Sequence, residues 1–246
     1  MTDPLLVVIL LTFLLAGLVK GVIGLGLPTI AVGLLSLAMT PAEAAALLVV
    51  PSLVTNIWQL AAGPSFAALA LRLLPMMLGV CLGTWAGSGL LTGAGAAQAS
   101  IALGVALLAY AGLGLTTLRL SVPPAWERLL APLIGIATGL VTAATGVFVI
   151  PAVPYLQALG LAKDDLVQSL GLSFTVSTVA MAASLAHEGA FGGTDATLSV
   201  LAVAPALVGM GLGQWLRGRI SPEMFRRSFF LGLLALGAHL ALRAVI

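Results

Sequence analysis

Charge is what this sequence has least of. Only 7% of its 246 residues are Asp, Glu, Lys or Arg and 61% are hydrophobic, whereas a water-soluble domain carries roughly a quarter charged residues. That poverty leaves no means of building an aqueous surface, which excludes soluble enzymes and nucleic-acid-binding modules. The single cysteine, Cys81, rules out an internal disulfide. There is no P-loop, no Cys/His cluster and no HExxH, so neither a metal nor a cofactor is expected. Positive charge is also missing ahead of the first apolar run: Met1-Thr2-Asp3-Pro4 lacks the basic start of a signal peptide, and the run is expected to be retained.

What remains is long apolar sequence rich in Ala, Leu and Gly, without the short alternating segments of an outer-membrane barrel. It fits an all-α integral membrane protein with a lipid bilayer as its main partner. One crossing needs about 20 apolar residues, and stretches of about that length are read at 42–62, 66–91, 98–118, 166–186, 196–216 and 225–245. Two further stretches, 5–39 and 129–158, are too long for one crossing and too short for two. Both are interrupted by glycine and proline.

These interruptions correspond. Gly17-x-x-x-Gly21 in the first matches Gly135-x-x-x-Gly139 in the second, and downstream Pro75-x-x-x-Gly79-x-x-x-Gly83-x-Trp85 recurs as Pro205-x-x-x-Gly209-x-x-x-Gly213-x-Trp215. The chain therefore reads as two homologous repeats, 1–118 and 129–246, joined by a linker at 119–128. Each repeat is one broken or re-entrant segment plus three transmembrane helices. Cys81 stands where the second copy has Gly211, which suggests a packing position.

The distribution of positive charge chooses between architectures. Arg217, Arg219, Arg226 and Arg227 are taken as cytoplasmic, and Lys20 is set aside because it is not in a loop. If both broken segments cross fully, eight spans leave Arg72, Arg119, Arg128 and Arg243 outside. If both return to their starting face, the six-span arrangement leaves only Arg243 outside. The second is favoured. It makes the halves inverted repeats and puts both termini in the periplasm, together with the connection carrying His187, Glu188 and Asp195.

A helix broken within the membrane frees backbone polar groups that hydrocarbon cannot satisfy, so a break persists where it is protein-buried or lines a polar cavity. Gly21, Gly24, Gly26 and Pro28 in the first half, and Thr142, Thr145 and Gly146 in the second, are therefore candidate site residues. Pro28 suits the first turn of a new half-helix whose positive end attracts an anion. Lys20 lies among the first glycines, where an ammonium needs compensation, and a bound anion is the expected partner. Ser52, Thr55, Asn56 and Gln59 form one polar stripe at helical spacing. Gln168, Ser169, Ser173, Ser177 and Thr178 form another in the second half, and the two are expected to line a path. Interhelical hydrogen bonding is the alternative role for these stripes, and close helix packing that for the glycines.

The breaks and the duplication resemble the sulfite exporter TauE/SafE family, whose repeats each begin with a glycine-rich motif followed by a proline. The first copy is Gly17, Gly21, Gly24 and Gly26, with Leu27 and Pro28 at positions where further glycines belong and Gly33 at the proline position. The second keeps Gly135, Gly139, Gly146 and Pro151 but has Thr142, Ala144 and Thr145 in place of glycines. The resemblance implies a multi-pass protein of the bacterial inner membrane that exports small sulfur-containing anions such as sulfite or organosulfonates. As a secondary transporter it would dock the anion at facing half-helix ends and work by alternating access, with a homo-oligomer possible. An anion channel or uniporter with a static pore is the alternative. An intramembrane hydrolase using Ser88, in Ala86-Gly87-Ser88-Gly89, is a remote one.

Overall fold

The computed structural model describes residues 4–93, 96–116 and 120–243. Arg119 and the Asp195 side chain, both used in the charge argument, lie outside the described residues. The regular structure among the described residues is helical: α1 (Pro4–Ile23), α2 (Leu27–Leu35), α3 (Pro41–Ala61), α4 (Phe66–Ala86), α5 (Ala96–Leu115), α6 (Pro124–Thr145), α7 (Ala152–Ala158), α8 (Lys163–His187), α9 (Gly193–Leu201), α10 (Val203–Arg217) and α11 (Pro222–Arg243). Large apolar side chains cover the outside, Leu71 being 75% and Trp58 63% exposed. Water would penalise such a surface, and lipid matches it.

Eight helical stretches are long and apolar enough to cross a bilayer, where the favoured sequence reading counted six. The difference lies in the two broken segments. At 1.5 Å per residue, the 20 residues of α1 and the 22 of α6 each cover a bilayer's thickness before the break, and the chain then turns into a short helix of nine (α2) or seven (α7) residues. The first break is set by Gly24 (φ 78°) and Gly26 (φ 106°), conformations that a side chain resists. Gly26 caps α2, and Pro28 occupies its first turn, where a missing N–H costs nothing. At the second break Gly146 caps α6 and donates its N–H to the Thr142 carbonyl at 2.8 Å. The Thr145 hydroxyl accepts from the Val147 N–H at 3.1 Å. Thr145 thus holds the end of α6 and does not cap the helix that follows.

Pro51, inside α3, is compensated from a neighbouring helix. Pro51 brings no N–H to the Leu47 carbonyl. Ser199 supplies the missing donor, giving its hydroxyl to Leu47 at 2.8 Å and accepting from the Val50 N–H at 3.0 Å. The stretch read as one helix at 196–216 is interrupted between α9 and α10, next to Pro205. Residues 124–128, read as the end of a linker, belong to α6. There Glu127 receives Arg72 Nε and Nη2 at 2.6 and 2.8 Å, tying α6 to α4.

Glycine permits the closest helix contacts. A Cβ on Gly17 would sit 2.1 Å from the Ala206 carbonyl oxygen and one on Gly21 2.2 Å from that of Met210. α1 therefore packs parallel to α10, residue numbers rising together. The second half repeats this, with Gly135 against Met76 and Gly139 against Val80 making α6 parallel to α4. By contrast, Gly171 of α8 lies on Gln59 and Leu60 of α3, while Ser52 pairs with Thr178, so α3 and α8 run antiparallel. α5 and α11 do the same, Gly104 meeting Ala241 and Gly114 meeting Phe230. Cys81 is exposed, and nothing lies within 4 Å of a Cβ on Gly211. That matched position faces outward and is not the packing site expected from the repeat.

Candidate functional site

The polar stripe of α3 turns toward α1 and α8. Lys20, 4% exposed, donates from Nζ to Thr55 Oγ1 at 3.1 Å and to Asn56 Oδ1. Thr55 can accept because its own hydroxyl proton goes back to the Pro51 carbonyl at 2.8 Å, an i−4 carbonyl within reach of a helical threonine. Asn56 turns its Nδ2 to Ser52 Oγ at 2.9 Å and to Thr178 Oγ1 at 3.4 Å. Ser52 and Thr178 share a further hydrogen bond of 3.1 Å. One network thus joins the end of α1 to both stripes.

No carboxylate pairs with Lys20 among the described residues, whose ion pairs are Arg72–Glu127 and Arg227–Glu223. An ammonium held only by neutral oxygens leaves a net positive charge inside the bundle, a costly arrangement that an anion relieves.

Gln59 continues the stripe toward the break, donating Nε2 to the Gly24 carbonyl at 3.2 Å and to that of Val167 at 3.1 Å. Its Oε1 is buried without a partner. Gln168 is used differently: Nε2 donates to the Leu60 and Gly63 carbonyls at 2.8 and 2.7 Å, and Oε1 accepts from the Ser65 N–H at 2.8 Å. It fastens the C-terminal end of α3. Ser169, Ser173 and Ser177 are fully buried, lie at four-residue spacing on α8 and have unpartnered hydroxyls. A row of unsatisfied hydroxyls costs free energy unless something polar meets it.

The structure does not bring the second break to this cluster. Gly24 lies beside Gln59, whereas a Cβ on Gly146 would meet Ala45 and Val32. Those two α3 positions are 14 residues apart, about 21 Å along a helix. The half-helix ends therefore do not face one another as expected, because α1 and α6 each run a full span before breaking. Thr142 returns its hydroxyl to the Thr138 carbonyl at 2.7 Å and lines a small recess with Ser184 and Glu188. Gly21 serves the α1–α10 contact.

Sequence reasoning missed a cavity of about 490 Å³ beside the first break, lined by Ile23 and Leu25, which flank Gly24, and by Tyr110, Leu113, Val153, Arg226 and Phe230 among others. Its residues come from α1, α5, α7 and α11, and no local spacing connects them. Ser88, the remote nucleophile candidate, shares hydrogen bonds with Ser184 at 3.1 Å and Glu188 at 2.9 Å. His187 instead lies against Trp85, ring centroids 5.2 Å apart.

Compared with known proteins, the chain matches the family model described as sulfite exporter TauE/SafE over residues 9–240. No curated protein and no solved structure matches it.

Proposed function

Because the chain belongs to the sulfite exporter TauE/SafE family, we propose that it is a secondary transporter that exports sulfite or a related small sulfur-containing anion across the bacterial inner membrane. The observation that carries this reading is Lys20: a buried cation whose partners are neutral oxygens, at the head of a polar network and one turn from a backbone break. The anion docks on Lys20, Thr55 and Asn56, and the hydroxyls of Ser169, Ser173 and Ser177 offer it a polar route along α8. Thr142, Thr145 and Gly146 belong to the corresponding opening at the other end of the bundle. One repeat rocks against the other to expose the site alternately.

We further infer that the halves are inverted repeats. α3 and α5 run antiparallel to their counterparts α8 and α11, as an axis in the membrane plane requires. α2 and α7 then bring their segments back to the starting face, so both termini lie in the periplasm and Arg217, Arg219, Arg226 and Arg227 in the cytoplasm. In a Cys81→Ala background, Ala38→Cys and His187→Cys are expected to label from the periplasm, and Ala62→Cys and Gly218→Cys from the cytoplasm. Labelling of Ala62→Cys from the same side as His187→Cys would reject the inversion.

Function is tested by reconstituting the protein in liposomes loaded with sulfite. Saturable efflux is expected, with sulfate and taurine as competitors that rank specificity. No protein-dependent sulfite flux would refute the transport reading, and single-channel currents would replace the carrier with a pore.

A further inference from the structure

The cavity beside the Gly24 break has a chemical character that the Lys20 cluster lacks. Its walls mix aliphatic and aromatic side chains, Leu113, Val153 and Phe230 among them, with polar ones: Arg226, Tyr110, Gln157 and Thr116 all belong to the lining. Arg226 uses Nη1 on the Gly114 carbonyl at 3.1 Å, leaving most of its five N–H donors for a ligand. Tyr110 is 3% exposed, its ring packed edge-on against Phe230 at 5.2 Å, and its hydroxyl has no partner. A buried phenol normally finds one. α2 begins two residues beyond Leu25, which places its positive N-terminal end at the cavity's edge. At about 490 Å³ the space falls in the range of small-molecule pockets, roughly 300–1,000 Å³, far more than an inorganic oxyanion fills.

We propose that this cavity is a second binding site, separate from Lys20, for an amphipathic anion: one sulfonate-, phosphate- or carboxylate-type head on an apolar body. Arg226 and the Tyr110 hydroxyl hold the head, and Leu113, Val153 and Phe230 enclose the body. Ile23 and Leu25 line the site, and the Gly24 carbonyl between them accepts from Gln59, so occupancy bears on the break itself.

Titration calorimetry with 1-butanesulfonate, on protein in phosphatidylcholine nanodiscs, tests the site without reference to transport. Saturable binding is expected. Arg226→Gln should weaken it about tenfold or more and Tyr110→Phe about fivefold, equivalent to the loss of roughly 1 kcal/mol, while Arg226→Lys retains part of the affinity and Lys20→Met all of it. Arg226 is exposed, so its variants should keep the wild-type unfolding temperature. Adding phosphatidylglycerol decides the source: competition that disappears in Arg226→Gln makes a lipid headgroup the resident ligand, and its absence leaves a soluble organic anion, the site standing either way. Affinity unchanged in Arg226→Gln, loss of binding in Lys20→Met alone, or no binding of either probe would overturn the proposal. A protein that exports sulfite and fails these titrations loses this site and keeps the transport reading.

Discussion

Gly209→Ala is expected to lower the unfolding temperature by about 10 °C, while Gly211→Ala, two residues along the same helix, leaves it unchanged or slightly raised. A Cβ on Gly209 lies 2.0 Å from the Leu14 carbonyl oxygen and 2.9 Å from the Leu18 nitrogen. Both obstacles are backbone, so no side chain can rotate away, and relief requires α1 and α10 to separate by more than an ångström along their whole seam. Overpacking a tight core costs about 1–3 kcal/mol. A rigid clash of this kind belongs at the upper end, and about 3 kcal/mol corresponds to roughly 6–12 °C in a chain of this size. Nothing lies within 4 Å of a Cβ on Gly211, where alanine gains up to about 1 kcal/mol in helix propensity. The matched seam predicts the same sensitivity at Gly135, whose Cβ would sit 2.1 Å from the Met76 oxygen. Fluorescence-detected size exclusion after a heat step measures all three. A Gly209→Ala protein as stable as Gly211→Ala would mean that α1 and α10 do not approach closely.

That contact also shows how far the sequence could be read. The repeat of Pro75, Gly79, Gly83 and Trp85 at Pro205, Gly209, Gly213 and Trp215 marked two equivalent helices, and each pairs with the first helix of the opposite half. Five of the six plain helices were legible because twenty apolar residues and their punctuation are local properties; the sixth, 196–216, is interrupted between α9 and α10. So was the α3 stripe, since a period of 3.6 places Ser52, Thr55, Asn56 and Gln59 on one face. Where a helix stops within a glycine-rich run was not legible. Gly17 and Gly21 look like Gly24 and Gly26 in sequence, yet the first pair sits in a continuous helix against α10 and only the second adopts positive φ. The break therefore fell near the end of a full span and not midway, which separated the two half-helix ends. The Tyr110–Arg226 cavity was illegible for a related reason: its residues meet only through the packing of α1, α5, α7 and α11, and a lone tyrosine or arginine carries no spacing signal.

Lys20→Met is expected to cut sulfite efflux about 100-fold, about 2.7 kcal/mol of lost binding or transition-state stabilisation, without destabilising the protein. Methionine keeps the length of the side chain and removes an ammonium whose burial is costly; the unfolding temperature should hold or rise. Loss of flux in that variant alone leaves open a purely architectural role for the Lys20–Thr55–Asn56 bonds, and Asn56→Asp separates the two. Lys20 Nζ already donates to the Asn56 side-chain oxygen, so a carboxylate there completes an internal ion pair with the same geometry. If the network only braces α1 against α3, that pair strengthens the brace and transport continues. If Lys20 serves an anion, the carboxylate occupies its charge permanently and repels the substrate, giving a protein at least as stable as the wild type and as inactive as Lys20→Met. The double variant should then be less stable than either single one, because it buries a carboxylate with no cation, and the cycle of four unfolding temperatures reports the coupling directly. Sustained efflux in a well-folded Asn56→Asp protein would remove Lys20 from the anion's path.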